Sequence, residues 1–131
     1  MKVALIENGD SFHKDLKKVS SELGWEISHF NNSIELERTN LNKYDVILTD
    51  LNLPVINGRD LIKSIATKTR AQIFLMTSYG KFIEEDVKND RIKGLINKDD
   101  PESLIDCLKY ADIKIRLNKI IETENGKYED I

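Results

Sequence analysis

Four short apolar runs in this chain lead straight into residues that can do chemistry. VALI at 3 to 6 runs into Glu7 and Asn8, DVILT at 45 to 49 ends on Thr49 ahead of Asp50, QIFLMT at 72 to 77 ends on Thr77 ahead of Ser78, and KGLIN at 93 to 97 ends on Asn97 ahead of Lys98. A carboxylate nucleophile can accept a phosphoryl group as an acyl phosphate. That transfer calls for a divalent cation held by neighbouring carboxylates, and for a hydroxyl and an ammonium on the remaining phosphoryl oxygens. Glu7, Asp50, Thr77 and Lys98 supply each of those parts, provided the fold brings them together.

The elements around them say how it would. Short apolar runs alternate with longer amphipathic stretches, the pattern of a parallel sheet with helices on its faces. Three of the runs are almost continuously apolar and are expected to be covered on both sides, whereas WEISHF at 25 to 30 is weaker and suits an edge. Phe12, Leu16, Val19 and Leu23 recur at helical spacing, with Asp10 as N-cap and Gly24 as stop. Asn32 and Glu35 have capping-box spacing ahead of Leu36 in a short second helix. A third helix follows Asn57 and Gly58 and buries Leu61, Ile62 and Ile65; a poorly patterned fourth is expected to hold Phe82, Ile83 and Val87.

Asp100, Pro101 and Glu102 open the clearest helix, whose stripe is Leu104, Leu108, Ala111 and Ile115. Leu117, Ile120 and Ile121 continue apolar spacing into ETENGKYEDI, which has the composition of a linker or frayed end. The expected division is therefore a domain over 1 to 116 and a helical extension with a polar tail over 117 to 131. The whole reads as an α/β fold, a doubly wound five-stranded parallel sheet in a three-layer sandwich. In such folds ligands sit beyond the carboxyl ends of the strands.

Bulk properties narrow the function. The 131 residues suit one domain, and 40% hydrophobic with 33% charged residues is an ordinary globular balance. A net charge of -3 gives no bulk drive toward nucleic acid or anionic membrane, and no apolar stretch approaches the roughly 20 residues of a membrane span. The single cysteine, Cys107, excludes an internal disulfide and is expected to be buried and inert; with no signal-like N-terminus, a cytoplasmic location is expected. His13 and His29 lack metal-site spacing and read as surface or packing residues.

Over roughly residues 1 to 115 the sequence resembles the receiver domains of bacterial two-component signalling. VALIEN resembles the family's first strand with its acidic end, and DVILTDLNLPVING its third strand, proline-containing loop and helix-opening glycine. IFLMTS and KGLINKDDPESL resemble the fourth and fifth strands. The resemblance implies strand order 2-1-3-4-5, Asp50 as phospho-acceptor, and Thr77 and Lys98 as phosphoryl-stabilising groups. It also implies Mg²⁺ held by Glu7, Asn8, Asp50 and the Asn52 backbone carbonyl. The implied partners are a sensor histidine kinase or phosphotransfer protein, with a downstream effector or a second copy engaged through the fourth and fifth helices, and no direct contact with nucleic acid or membrane.

Three positions depart from that family pattern. Asn8 stands where a second metal-binding carboxylate is usual, which predicts weaker Mg²⁺ binding. Leu95 occupies the switch position, usually aromatic, and Lys98 is followed by Asp99 instead of proline. Two functions from different classes stay open on this sequence: a phospho-receiver, and a pseudo-receiver that keeps the fold as an interaction module. A phosphohydrolase is disfavoured, because Asn52 offers no second acid near Asp50. Glu7 likewise keeps an alternative as a buried carboxylate neutralised by Lys98 without metal.

Overall fold

The computed structural model describes residues 1–9, 11–78 and 82–129, with the side chains of 11–13 and 125–129 excepted. Its elements alternate as the periodicity requires: β1 (Lys2–Ile6), α1 (Ser11–Leu23), β2 (Glu26–Phe30), α2 (Ser33–Glu37), a 3₁₀ turn at Leu41–Lys43, β3 (Val46–Asp50), α3 (Gly58–Ile65), β4 (Gln72–Thr77), α4 (Glu84–Lys88), β5 (Ile92–Asn97) and α5 (Pro101–Glu129). All strand pairs are parallel, in the order β2-β1-β3-β4-β5.

Because side chains alternate along a strand, each central strand feeds two cores. Val3, Leu5, Val46, Leu48, Phe74 and Met76 pack with Leu16 of α1 and with Leu104, Leu108 and Ala111 of α5. Ala4, Ile6, Ile47, Ile73 and Leu75 face the other way, onto Leu36 of α2 and Leu61, Ile62 and Ile65 of α3. The apolar runs are continuous because both faces are dry. β2, at the edge, is only half-buried.

Helix caps follow the sequence. Asn32 accepts from the Glu35 amide, Asn57 from Asp60, and Asp100 from Ser103, each satisfying an orphan first-turn donor. The Glu35 carboxylate reaches back to the Asn31 amide, one residue earlier than a capping box would place it. Gly24, at φ 74°, supplies the left-handed residue that ends α1. The expected cap Asp10 lies outside the described residues, as does the Phe12 side chain. Leu23 is exposed, and its place on the buried face of α1 is taken by Ser20, whose hydroxyl donates to Leu16 O at 2.7 Å.

The fourth helix departs most from expectation. It spans only Glu84–Lys88, with Ile83 as its N-cap position, Phe82 ahead of it and Val87 71% exposed. Charge holds it instead of an apolar stripe. Arg59, at the start of α3, grips Asp86 with Nε on Oδ1 at 2.5 Å and Nη2 on Oδ2 at 2.8 Å. Lys63 pairs with Glu85 beside it, and the Asp86 carboxylate also accepts from the Ile83 amide. The Asp86 side chain is fully enclosed, and its hydrogen bonds to Arg59 hold its carboxyl below the usual carboxylate range against the opposing effect of burial. Arg91 performs a similar task below β4, donating to the carbonyls of Ala66, Thr69 and Ala71.

The final helix also differs from expectation, since it continues without a break through most of the polar tail to Glu129. Trp25 Nε1 donates to Asp112 at 3.0 Å and anchors α5 to the start of β2. Beyond Ile115 no described side chain of the helix belongs to either core.

Two outcomes follow from these contacts. Asp86→Asn takes the counter-charge and one of two acceptors from Arg59 in a part-buried site and should cost about 3 kcal/mol in urea unfolding. Because the folded pKa of Asp86 is depressed, this contribution is present in full above the ordinary aspartate value of about 3.9 and is lost as pH falls toward the lower folded value. The acid limb of the wild-type stability curve should therefore shrink in the variant. At Gly58 an added Cβ would lie 2.2 Å from the Asp50 carbonyl oxygen, so Gly58→Ala should lower stability by roughly 1–3 kcal/mol.

Candidate functional site

The parallel register carries the chain's polar strand ends to one edge of the sheet. Ile6 lies beside Thr49, Asp50 beside Met76, and Thr77 beside Asn97, so Glu7, Asp50, Thr77 and Lys98 emerge from four strands at the same level. Backbone bonds extend each strand into the site. The Glu7 amide donates to Phe30 O at 3.0 Å, Leu51 to Met76 O at 2.7 Å, and Lys98 to Thr77 O at 3.0 Å.

Lys98 is the centre of the cluster. Its Nζ lies 2.7 Å from Glu7 Oε1 and 3.0 Å from Asp50 Oδ2. Glu7 is 3% and Asp50 8% exposed. One ammonium thus serves two carboxylates in a largely dry setting, and these three groups together carry a charge of -1. Burial opposes the ammonium, but the hydrogen bonds and charges of Glu7 and Asp50 outweigh it and hold Lys98 above the usual lysine range.

The second oxygens of the two acids differ. Asp50 Oδ1 accepts from the Asn52 amide at 3.1 Å. Glu7 Oε2 is buried with no hydrogen-bond partner, which is costly for an ionised carboxylate. That orphan acceptor is an observation in favour of a cation: Mg²⁺ commonly binds one or two carboxylates and keeps several waters, and Glu7, Asp50 and the Asn52 carbonyl fit such a set. Among the described residues there is no group of three or more His, Cys, Asp and Glu side chains able to hold a metal; the acids they bring to this site are Glu7 and Asp50.

The other expected site residues are placed as follows. Asn8 is exposed in the turn after β1, next to Glu7. Thr77 is buried at the end of β4. Leu95 lies opposite Leu75 on β5 and packs, half-buried, against the α3 side of the sheet. Cys107 is half-buried rather than enclosed, and burial with the nearby Asp106 charge pushes its thiol up, away from the reactive thiolate.

Two supports were not read from the sequence. His29, at the edge of the site, has Nε2 2.8 Å from the Glu7 carbonyl, bracing the turn that carries Glu7; its spacing from Glu7 along the chain carries no signal. Val55 takes a left-handed backbone, φ 75°, in the loop after Asp50, where Ile56 N donates to Pro54 O. A β-branched residue there stores strain of roughly 1–3 kcal/mol, a cost seen where a loop is shaped for function.

Comparison with known proteins agrees with this architecture. The chain is 24% identical over 128 residues to the probable transcriptional regulatory protein SilR of Salmonella typhimurium, covering 95% of this chain and 53% of the relative, so it spans about half that protein's length. Its fold is similar to a two-component response regulator from Clostridium difficile, with TM-score 0.77, 24% identity and coverage of 88% and 98% of the two chains. It is also similar to the response regulator TrrA from Thermotoga maritima in complex with Mg²⁺-BeF, with TM-score 0.72, 22% identity and coverage of 84% and 97%. The family model described as the response regulator receiver domain matches residues 3–109. With that match over most of its length and the five-stranded sheet in order 2-1-3-4-5, this chain belongs to the receiver domains of two-component response regulators.

Proposed function

We propose that Asp50 accepts a phosphoryl group from a phosphohistidine on a sensor kinase or phosphotransfer protein, and that the modified domain changes which proteins it binds. The observation that carries this reading is the Lys98 ammonium held between Glu7 and Asp50 at the open end of the sheet. In the transfer an Asp50 carboxylate oxygen forms a bond to phosphorus as the phosphorus–nitrogen bond of the donor breaks. The imidazole leaves with the electron pair. Lys98, already bonded to Asp50, swings its ammonium onto a phosphoryl oxygen, and the Thr77 hydroxyl donates to another from the adjacent strand.

Glu7 Oε2, Asp50 and the Asn52 carbonyl would hold Mg²⁺, with Asn8 as a neutral neighbour. When bound, that ion neutralises charge on the phosphoryl oxygens. TrrA was solved with Mg²⁺ and a beryllium fluoride group, which supports this set without carrying affinity across. The unit doing this would be residues 1 to 116, with 117 to 131 as an extension toward partners. Helices α4 and α5 are the expected face for an effector or a second copy.

A second reading is favoured by a specific observation. Lys98 already pairs with one oxygen of each acid, Asn8 removes a metal-binding charge, and Leu95 lacks the aromatic ring of the usual switch. On this reading the domain is a constitutive interaction module and does not need phosphorylation.

Incubation with Mg²⁺ and acetyl phosphate should add the mass of one phosphoryl group, and Asp50→Asn should abolish the adduct. Absence of any adduct, together with partner binding that Asp50→Ala leaves unchanged, would hand the case to the interaction module. Asn8→Asp should tighten Mg²⁺ on the order of tenfold in calorimetric titration, which corresponds to roughly 1.4 kcal/mol from one added carboxylate.

Lys98→Met leaves two buried carboxylates without a counter-charge and should destabilise the domain by roughly 3 kcal/mol at neutral pH. Since the folded pKa of Lys98 is raised, the wild-type contribution is complete below the ordinary lysine value of about 10.4 and is lost only as pH rises through the higher folded value. Denaturant midpoints of the two proteins should thus stay apart by a constant amount between about pH 6 and 9.

A further inference from the structure

We propose that the outer face of α5 docks an acidic amphipathic helix of a partner protein, a role that does not depend on phosphorylation of Asp50. A helix on the surface of a globular domain needs one apolar stripe, and α5 has two. Leu104, Leu108, Ala111 and Ile115 face the sheet. On the opposite side Tyr110, Ile113, Leu117, Ile120 and Ile121 form a second stripe, each between 52% and 69% exposed. Single exposed apolar residues are ordinary, but five in line over about 16 Å of helix form a continuous patch. Their spacing of three, four and three residues is that of a helix-packing seam, with knobs set for another helix.

Charge selects the occupant. Lys109 and Arg116 lie along one margin of the stripe and Lys114 along the other, all exposed. The acid nearest them, Asp112, is turned inward, where it is bonded to Trp25 and to Arg116. Asp106 and Glu124 mark the two ends of the stripe. A second copy of the chain fits poorly in either direction. Packed parallel and in register, Lys109 of one copy meets Lys114 of the other. Packed antiparallel with Ile113 over Leu117, Arg116 meets its own equivalent and Asp106 meets Glu124. The seam also covers fewer than the three or four heptads that a self-standing coiled coil sustains. A membrane surface is disfavoured by Asp106 and Glu124, which would be pressed against anionic headgroups. A helix with an apolar seam and glutamates along both edges meets the apolar stripe and the basic margins together.

The test uses the full chain and two synthetic helical peptides that share one leucine-isoleucine seam, the first flanked by Glu and the second by Lys. The Glu-flanked peptide should bind at least about tenfold more tightly than its Lys-flanked counterpart, and the difference should shrink as salt is raised. Leu117→Ser with Ile120→Ser should remove binding while circular dichroism shows the domain folded. Lys109→Glu with Lys114→Glu should reverse the preference, a result that loss of fold could not produce. The proposal is overturned if neither peptide binds, or if both bind equally. It is also overturned if the wild-type chain sediments as a dimer that Leu117→Ser with Ile120→Ser disperses, or if it binds vesicles of phosphatidylserine and phosphatidylcholine through the same residues.

Discussion

A parallel sheet covered on both faces has almost nowhere to put a charge. Every side chain of its central strands points into one of two dry cores, so polar groups collect where the strands end. In this chain that constraint drives Glu7, Asp50 and Lys98 onto one another. Two carboxylates this poorly exposed would repel and remain unsolvated without a cation between them. The Lys98 ammonium, delivered from β5 by a backbone bond to the end of β4, is the counter-charge that makes the arrangement tolerable. The rest of the edge is arranged around it: His29 braces the Glu7 turn, and the bare Cα of Gly58 lets α3 start against the Asp50 carbonyl.

The same arrangement bears on how the domain would switch. Lys98 is committed to two carboxylates, so the phosphoryl group proposed for Asp50 would have to draw it away from at least part of that pairing. The element beyond the site is held in a comparable way. α4 presents little apolar surface to the core and depends on the bidentate Arg59–Asp86 pair and on Lys63 with Glu85. A short helix fixed by ion pairs to α3 can be repositioned without opening a hydrophobic interface. Leu95, packed at the margin of the same side, would leave any such movement without an aromatic lever.

Helix α5 couples the domain to whatever lies beyond it. Its first four turns are bound by the α1 and β4 side of the core and by the Trp25–Asp112 bond. Past Ile115 none of its described side chains joins the core, yet the helix continues. A helix in that state carries its apolar residues outward, and their basic margins give the exposed stripe a direction of preference that composition alone conceals.

The sequence by itself determined the strands, their two-sided burial, the Asn32 and Asp100 caps and the four residues at the strand ends. These depend on local chemistry: β-branched and aliphatic runs, an Asn or Asp before a helix, a carboxylate or amine where a run stops. Glu7, Asp50, Thr77 and Lys98 were legible because a parallel sheet aligns its carboxyl ends whatever the loops contain. Tertiary structure alone decided the rest. Asp86 is an unremarked acid in the sequence until a guanidinium 27 residues away encloses it, and the apolar residues around it, Ile83 and Val87, turn outward because that pair already fixes α4. Ser20 replaces Leu23 on the buried face of α1 because its hydroxyl can return a bond to its own helix. The polar tail became helix because an anchored α5 had already met the cost of nucleation, after which each added residue needed only its own hydrogen bond.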